Sequence, residues 1–258
     1  MFNEDTRVKL PAVAHLMKLG FKYVSKRTSK IDKQLNLFVD IFKDSIQKIN
    51  NQAISDSEFE ALFLELKRIL SFNDSGKTFF EKITDSTSKL KLIDFENFDN
   101  NELHVVTELP FGNSDKFRPD ITLLINGMPL SIIEVKQPNN EGGIDVEFER
   151  LINERIAKDE FKHYFNMIQL MVFSNNMPYL PLEQIVPGYK FQGSFYSTPN
   201  GLKTDFNYFR EEEKIEVTAS INEIELSDMV EDNGYNPDII HTDEFKTNSN
   251  IDSPLNSF

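Results

Sequence analysis

Two apolar runs separated by Asn126-Gly127 dominate the middle of the chain, within Phe117–Lys136. Such runs predict two strands joined by a tight turn, because Asn and Gly accept the positive φ that a two-residue hairpin turn demands. Upstream, the spacing of apolar positions is helical. Val8, Leu10, Val13, Leu16, Met17 and Leu19 mark a helix over Thr6–Leu19, ended by Gly20 and followed by a short strand at Phe21–Ser25. Ile31, Leu35, Phe38, Val39, Phe42, Ile46 and Ile49 form a second stripe, and Phe59, Leu62, Phe63, Leu66, Ile69 and Leu70 a third. These two stripes predict a helical insertion, over about 31–100, that packs against a sheet. Strand signals resume at Glu102–Leu109, before a turn-rich link at Pro110–Asp115.

Beyond the hairpin, Gln137–Gly143 reads as a loop. Asp145 is placed to cap a helix running to about Phe165, with Val146, Phe148 or Glu149, Leu151, Ile152 and Ile156 inward and Arg150, Arg155, Lys158 and Lys162 outward. Ile168–Ser174 reads as a buried strand and Tyr189–Ser197 as a further one. The order helix, strand, insertion, three strands, helix, strand predicts an α/β domain over 1–210. From 211 onward the character changes: Ile221–Val230 could form a short helix, and 232–258 reads as a weakly ordered acidic segment.

Composition changes the picture at few points. The chain has 258 residues, enough to bury a sizeable core, and no cysteine, which removes disulfides and thiolate metal sites and fits a cytoplasmic address. No apolar run is long enough to span a membrane, and the first residues lack the pattern of a signal peptide. The net charge of −14 argues against nucleic acid as a partner until its distribution is considered. Residues 211–258 carry −11 of it, leaving −3 for the first 210, so the body is nearly neutral.

Three charges interrupt the apolar hairpin: Asp120, Glu134 and Lys136. Burying unpaired charge is costly, so their presence needs a reason. Glu134 and Lys136, two apart, share one face of their strand, and the hairpin brings Asp120 across from them. Two carboxylates beside an ammonium suit a Mg²⁺ ion, which prefers a few carboxylates plus exchangeable waters. Asp120 and Glu134 would bind the metal, with the Val135 carbonyl as a further oxygen, and Lys136 would orient the bound water or stabilise developing charge. The alternative is a cross-strand ion pair of Asp120 or Glu134 with Lys136 or Arg118. Other constellations fall short. Ser75-Gly76-Lys77-Thr78 ends like a phosphate-binding loop but has Ser71 where the first glycine belongs. His15, His104, His163 and His241 are scattered without metal-ligand spacing.

Pro119-Asp120 followed after 13 residues by Glu134-Val135-Lys136 resembles the PD-(D/E)xK nuclease motif. With Ile125-Asn-Gly-Met-Pro-Leu-Ser-Ile-Ile-Glu-Val-Lys-Gln-Pro138, the chain resembles the N-terminal nuclease domain of type I restriction enzyme R (motor) subunits. The resemblance implies a restriction-endonuclease-like fold, a mixed central sheet flanked by helices. It implies Mg²⁺-dependent cleavage of double-stranded DNA by Asp120, Glu134 and Lys136. It further implies a complex with modification and specificity subunits, and an ATP-driven motor that these 258 residues lack, so that the chain reads as an N-terminal fragment binding no ATP itself. The alternative is a nuclease-fold module without catalysis that docks DNA or partner subunits. One departure stands out. The family's Gln-x-x-x-Tyr is missing from Asp145–Phe165, and the nearest likeness, Gln169–Phe173, lies on a predicted strand. Glu149, Arg150 and Glu154 are the candidates for supporting the site from the helix, and Glu4, Asp5 or Glu108 for a further acid.

Overall fold

The computed structural model describes residues 8–111, 117–137, 143–174, 194–197, 207–208, 221–243 and 245–246. Glu4, Asp5, most of the two loops flanking the hairpin, 189–193 and the last twelve residues lie outside that set.

The chain enters through α1 (Leu10–Lys18), whose end is closed by Gly20 at φ 101°. Gly20 donates to the Met17 carbonyl and Phe21 to that of Leu16, which satisfies the last carbonyls of the helix. The strand β1 (Lys22–Tyr23) follows. The predicted helical stripe from Ile31 then resolves into two kinds of structure. Ile31–Asp32 (β2) and Leu37–Phe38 (β3) pair as a small hairpin, and α2 begins only at Val39 and runs to Asn50. The Asp32 carboxylate explains the difference: it accepts from the amides of Gln34 and Leu35, and Asn36 takes φ 54°, so a turn competes successfully with the helix. The next helix, α3 (Asp56–Leu70), starts at a capping box in which Ser55 and Glu58 satisfy each other's amides. After α4 (Lys77–Thr84) the chain returns to the sheet as β4 (Leu103–Thr107).

The hairpin is β5 (Ile121–Ile125) and β6 (Met128–Val135), and β7 (Leu170–Ser174) follows a helical segment. With β8 (Ser194–Ser197) and β9 (Asn207–Tyr208) these strands form one seven-stranded sheet in the order β1-β4-β5-β6-β7-β8-β9. The sheet is mixed: β1 with β4 and β6 with β7 are parallel, and the other neighbours are antiparallel. The expected α/β architecture, a mixed sheet flanked by helices, is the one observed.

The strand faces divide the core. Ile121, Ile133 and Val135 face α1 and α7 (Glu223–Asp232), whose Leu226, Met229 and Val230 are buried there. Ile132 faces the opposite side, towards Phe148, Leu151, Tyr164 and Phe165. Met128 and Leu130, nearer the turn, contact the insertion through Phe42, Leu66 and Phe79. The segment expected from Asp145 to Phe165 is not one helix. It comprises α5 (Gly143–Leu151), a π turn at Ile152–Ile156, an extended Lys158 at φ −98° and ψ 127°, and α6 (Lys162–Met167). Four polar or small residues, Ala157–Glu160, separate Ile156 from Phe161, so a continuous helix would turn its second apolar group off the core face.

The short helix expected at Ile221–Val230 is present as α7, but residues 232–243 differ from the expected weakly ordered segment. Beyond α7, a 3₁₀ turn at Pro237–His241 buries Ile240, and Phe245 is buried too. Asp232 accepts from the hydroxyls of Tyr23 (2.9 Å) and Ser25 (3.1 Å) and pairs with Arg27. The acids of this stretch are in part buried partners of β1, which composition alone does not reveal.

Candidate active site

The hairpin's geometry starts at its turn. Asn126 and Gly127 have φ of 52° and 77°, the two positive values of a type I′ turn, whose twist matches that of the paired strands. The turn is buried, unlike most hairpin tips. Asn126 accepts from the Glu102 amide (2.8 Å) and donates to the Leu92 carbonyl (2.9 Å) and to Asn101 (2.8 Å). The Gly127 carbonyl accepts from Phe38 N–H at 2.9 Å. A Cβ on Gly127 would stand 2.7 Å from the Phe38 carbonyl oxygen and 2.9 Å from the Phe42 nitrogen. The Asn-Gly pair thus joins the hairpin to the insertion as well as turning the chain. Pairing then runs Ile125↔Met128 and Leu124↔Pro129, shifts at Leu123/Leu124, and continues as Leu123↔Ser131 to Ile121↔Ile133.

One residue further, Asp120 comes opposite Glu134 at the open end. Its Oδ2 accepts from the Val135 N–H at 2.9 Å. Glu134 is 5% exposed and lies on the face of Ile132, beneath α5 and α6. Burial raises the pKa of Asp120, opposed by the Val135 N–H and the charge of Lys136. Burial raises that of Glu134 further, well above the usual carboxylate range, and the neighbouring charges of Asp120 and Glu147 add to it. Glu134 is therefore the member of the pair that takes up a proton first, and Asp120, with its amide donor, the one that keeps its charge. Tyr164, fully buried, closes the floor. Burial foremost, with a contribution from the Glu134 charge, pushes its pKa upward.

The sequence-predicted residues thus converge: Asp120, Glu134 and the main chain of Val135 meet at one strand end, and Lys136 follows directly, its N–H bonded to the Ser174 carbonyl. The predicted ion-pair alternative has other partners here. Arg118 lies 3.6 Å from Glu108, and Lys136 lies 3.6 Å from Glu147. Glu108 adjoins Asp120 through its backbone N–H, which donates to the Asp120 carbonyl at 3.1 Å, but its side chain is held by the buried Lys9 at 2.7 Å. Of the helix candidates, Arg150 (3.4 Å) bonds Glu147, and Glu154 bonds Arg150 at 4.0 Å. Among the described residues, no hydrogen bond or ion pair joins Glu149 to the site.

Glu147 is the acid that reading the sequence misses. Its phase on α5 was the missing signal: Val146, expected inward, is 55% exposed, whereas Phe148 and Leu151 are buried, which turns Glu147 towards Lys136. Glu147 is four residues before Leu151 and on the same side of the helix.

The phosphate-loop likeness is closed off by its own sequence. Asp74 accepts from the amides of Gly76 (3.1 Å) and Thr78 (2.9 Å), so a carboxylate already occupies the start of α4.

A family model described as "Type I restriction enzyme R protein N terminus" matches residues 1–182. The chain belongs to this family. Asp120, Glu134 and Lys136 all lie within the matched span. A Methanocaldococcus jannaschii protein carrying the provisional name of type I restriction enzyme MjaVIIIP endonuclease subunit is 31% identical over 153 residues, 58% of this chain and 14% of that protein. The type I restriction enzyme SauCOLORF180P endonuclease subunit of Staphylococcus aureus (strain COL) is 27% identical over 175 residues, 63% of this chain and 17% of that protein. The type I restriction enzyme SsaAORF53P endonuclease subunit of Staphylococcus saprophyticus is 29% identical over 140 residues. The aligned region is thus a small part of these relatives, 14% of the first and 17% of the second. Among the described residues, no helix is long and apolar enough to cross a membrane.

Proposed function

We propose that this chain is the Mg²⁺-dependent DNA endonuclease module of a type I restriction-modification R subunit, cutting double-stranded DNA beside modification and specificity subunits. The observation that carries the reading is the Asp120–Glu134 pair, a half-buried carboxylate beside a buried one, two hard oxygen donors side by side whose charges are costly without a cation. Among the described residues no third His, Cys, Asp or Glu joins them in a metal-holding group. Two carboxylates with room for waters and phosphate oxygens suit Mg²⁺, whereas a closed cage of protein ligands would suit Ca²⁺ or Zn²⁺ better. Asp120 and Glu134 would hold the ion, with the Val135 carbonyl as a further oxygen. Bound there, Mg²⁺ would supply a water of lowered pKa and neutralise charge at the phosphorus. The chain's own part is to hold that site in fixed register. The Val135 N–H orients Asp120, and Lys136 places an ammonium where negative charge grows on the phosphate.

Mn²⁺ titration of the chain tests the site. Binding to the unmodified protein and its loss in Asp120→Ala, with folding intact by circular dichroism, is the expected result. Cleavage by the assembled enzyme should vanish in Asp120→Ala and in Lys136→Ala. Retained cleavage in either variant refutes the assignment of roles, and no Mn²⁺ binding at all would instead favour a docking module without catalysis.

A further inference from the structure

Glu147 sits beside the proposed metal site without belonging to its pair of ligands. It is 12% exposed, and its Oε2 lies 3.6 Å from Lys136 Nζ and 3.4 Å from Arg150. Lys136 is itself only 18% exposed and exerts its charge on both Asp120 and Glu134. An ammonium whose charge acts on the buried Glu134 and the half-buried Asp120 has an evident alternative partner, the carboxylates themselves. Falling onto them would neutralise the charge a divalent cation needs and occupy its place. The lysine must therefore be near enough to meet a phosphate and yet restrained from the ligands.

We propose that Glu147 is a positioning residue that tethers Lys136 from the helix side, so that Asp120 and Glu134 stay available to the metal. Arg150 braces Glu147 from the next turn of α5, and Glu154 braces Arg150. The tether spans from α5 to the end of β6, so packing of Phe148 and Leu151 against the sheet sets its length. This inference rests on the metal-site reading and concerns a residue outside the predicted triad.

The test is a double-mutant cycle read by Mn²⁺ binding to the 258-residue chain, with Glu147→Gln, Lys136→Met and the double variant. Glu147→Gln should weaken Mn²⁺ binding by about tenfold. In the Lys136→Met background the same replacement should cost less than about threefold, because no lysine is left to fall onto the ligands. A simple charge effect of Glu147 on the metal, or direct ligation by it, would cost the same in both backgrounds, and that outcome overturns the proposal. So does unchanged binding in Glu147→Gln. Glu147→Asp, which keeps the charge, should recover part of the loss, whereas a defect of packing alone would be no better in Asp than in Gln. Absence of Mn²⁺ binding to the unmodified chain is a different failure. It sinks the metal-site reading itself.

Discussion

Replacing Gly127 with alanine should destabilise the protein far more than the same replacement at Gly20, although both glycines have positive φ. At Gly127 φ is 77° and at Gly20 it is 101°. The conformational cost of placing alanine in this region is about 1 kcal/mol at either position. Nothing lies within 4 Å of a Cβ built on Gly20, so its cost stops there. On Gly127 the Cβ meets the Phe38 carbonyl oxygen at 2.7 Å and the Phe42 nitrogen at 2.9 Å. Both are backbone atoms, so relief requires the turn and the start of α2 to separate. That movement strains the Phe38 N–H bond to the Gly127 carbonyl, worth about 1 kcal/mol, and unpacks the contact at a further cost of about 1–3 kcal/mol. The expected loss is about 3–5 kcal/mol for Gly127→Ala against about 1 for Gly20→Ala.

Urea unfolding followed by circular dichroism gives both values under one set of conditions. The slopes should match that of the unmodified chain, since the surface exposed on unfolding hardly changes. If the two variants lose stability equally, within about 0.5 kcal/mol, the lock between hairpin and insertion is not energetically real.

Three further outcomes follow from other parts of the structure. Asp232→Ala should cost about 2–4 kcal/mol, measured by the same unfolding assay, because it leaves Tyr23, Ser25 and the Arg27 charge without their shared acceptor; a loss below about 0.5 kcal/mol would mean that α7 is not part of the fold. Glu102, bridged by Lys22 at 2.9 Å and Lys48 at 2.6 Å, has its pKa lowered from 4.5 to about 2 by those lysines. Its contribution is present above the unfolded value of 4.5 and lost as pH falls towards 2, so Glu102→Gln should cost about 1 kcal/mol at neutral pH after screening and flatten the acid limb of the stability profile. Glu134 has the opposite sign: its raised pKa makes the metal-free fold less stable as pH rises above the unfolded carboxylate value, so Glu134→Gln should raise metal-free stability by on the order of 1 kcal/mol at pH 8 and less at pH 5. Thermal melts at the two pH values without divalent ions check this, and a variant less stable than the parent at pH 8 would contradict the electrostatic reading.

The parts legible in the sequence are those whose signal is local. Asp120, Glu134 and Lys136 stand in apolar strands joined by an Asn-Gly turn, so strand alternation and hairpin geometry suffice to bring them together. The parts that were not legible depend on competition between elements. Ile31–Phe38 has helical spacing, yet Asp32 satisfies two amides in a turn and two short strands form instead. Glu147 looks like any acid on an exposed helix, since its direction depends on the phase of α5, which the packing of Phe148 and Leu151 sets. Residues 221–243 are acidic in composition, but Glu225 and Asp232 are acceptors for β1 and α7 contributes Leu226, Met229 and Val230 to the core. Composition registers the charges and not the partners that satisfy them.

The register of the β5–β6 hairpin connects its two ends. A slip of one residue would carry Glu134 and Lys136 to the face of α1 and α7, because side chains alternate along a strand. Asp120 would then face a hydrophobic neighbour and the pair would be lost. Apolar patterning alone guards weakly against such a slip, since β6 is buried on both faces through most of its length. The turn supplies what the pattern lacks. The type I′ geometry fixes Ile125 opposite Met128, Asn126 binds Glu102, Leu92 and Asn101 at once, and the shift at Leu123/Leu124 sets the pairing beyond Pro129. These residues lie towards the turn, away from the open end where Asp120 meets Glu134. Their effect on the site is to determine which residue of β6 meets Asp120, and the only acid among the candidates for that position is Glu134.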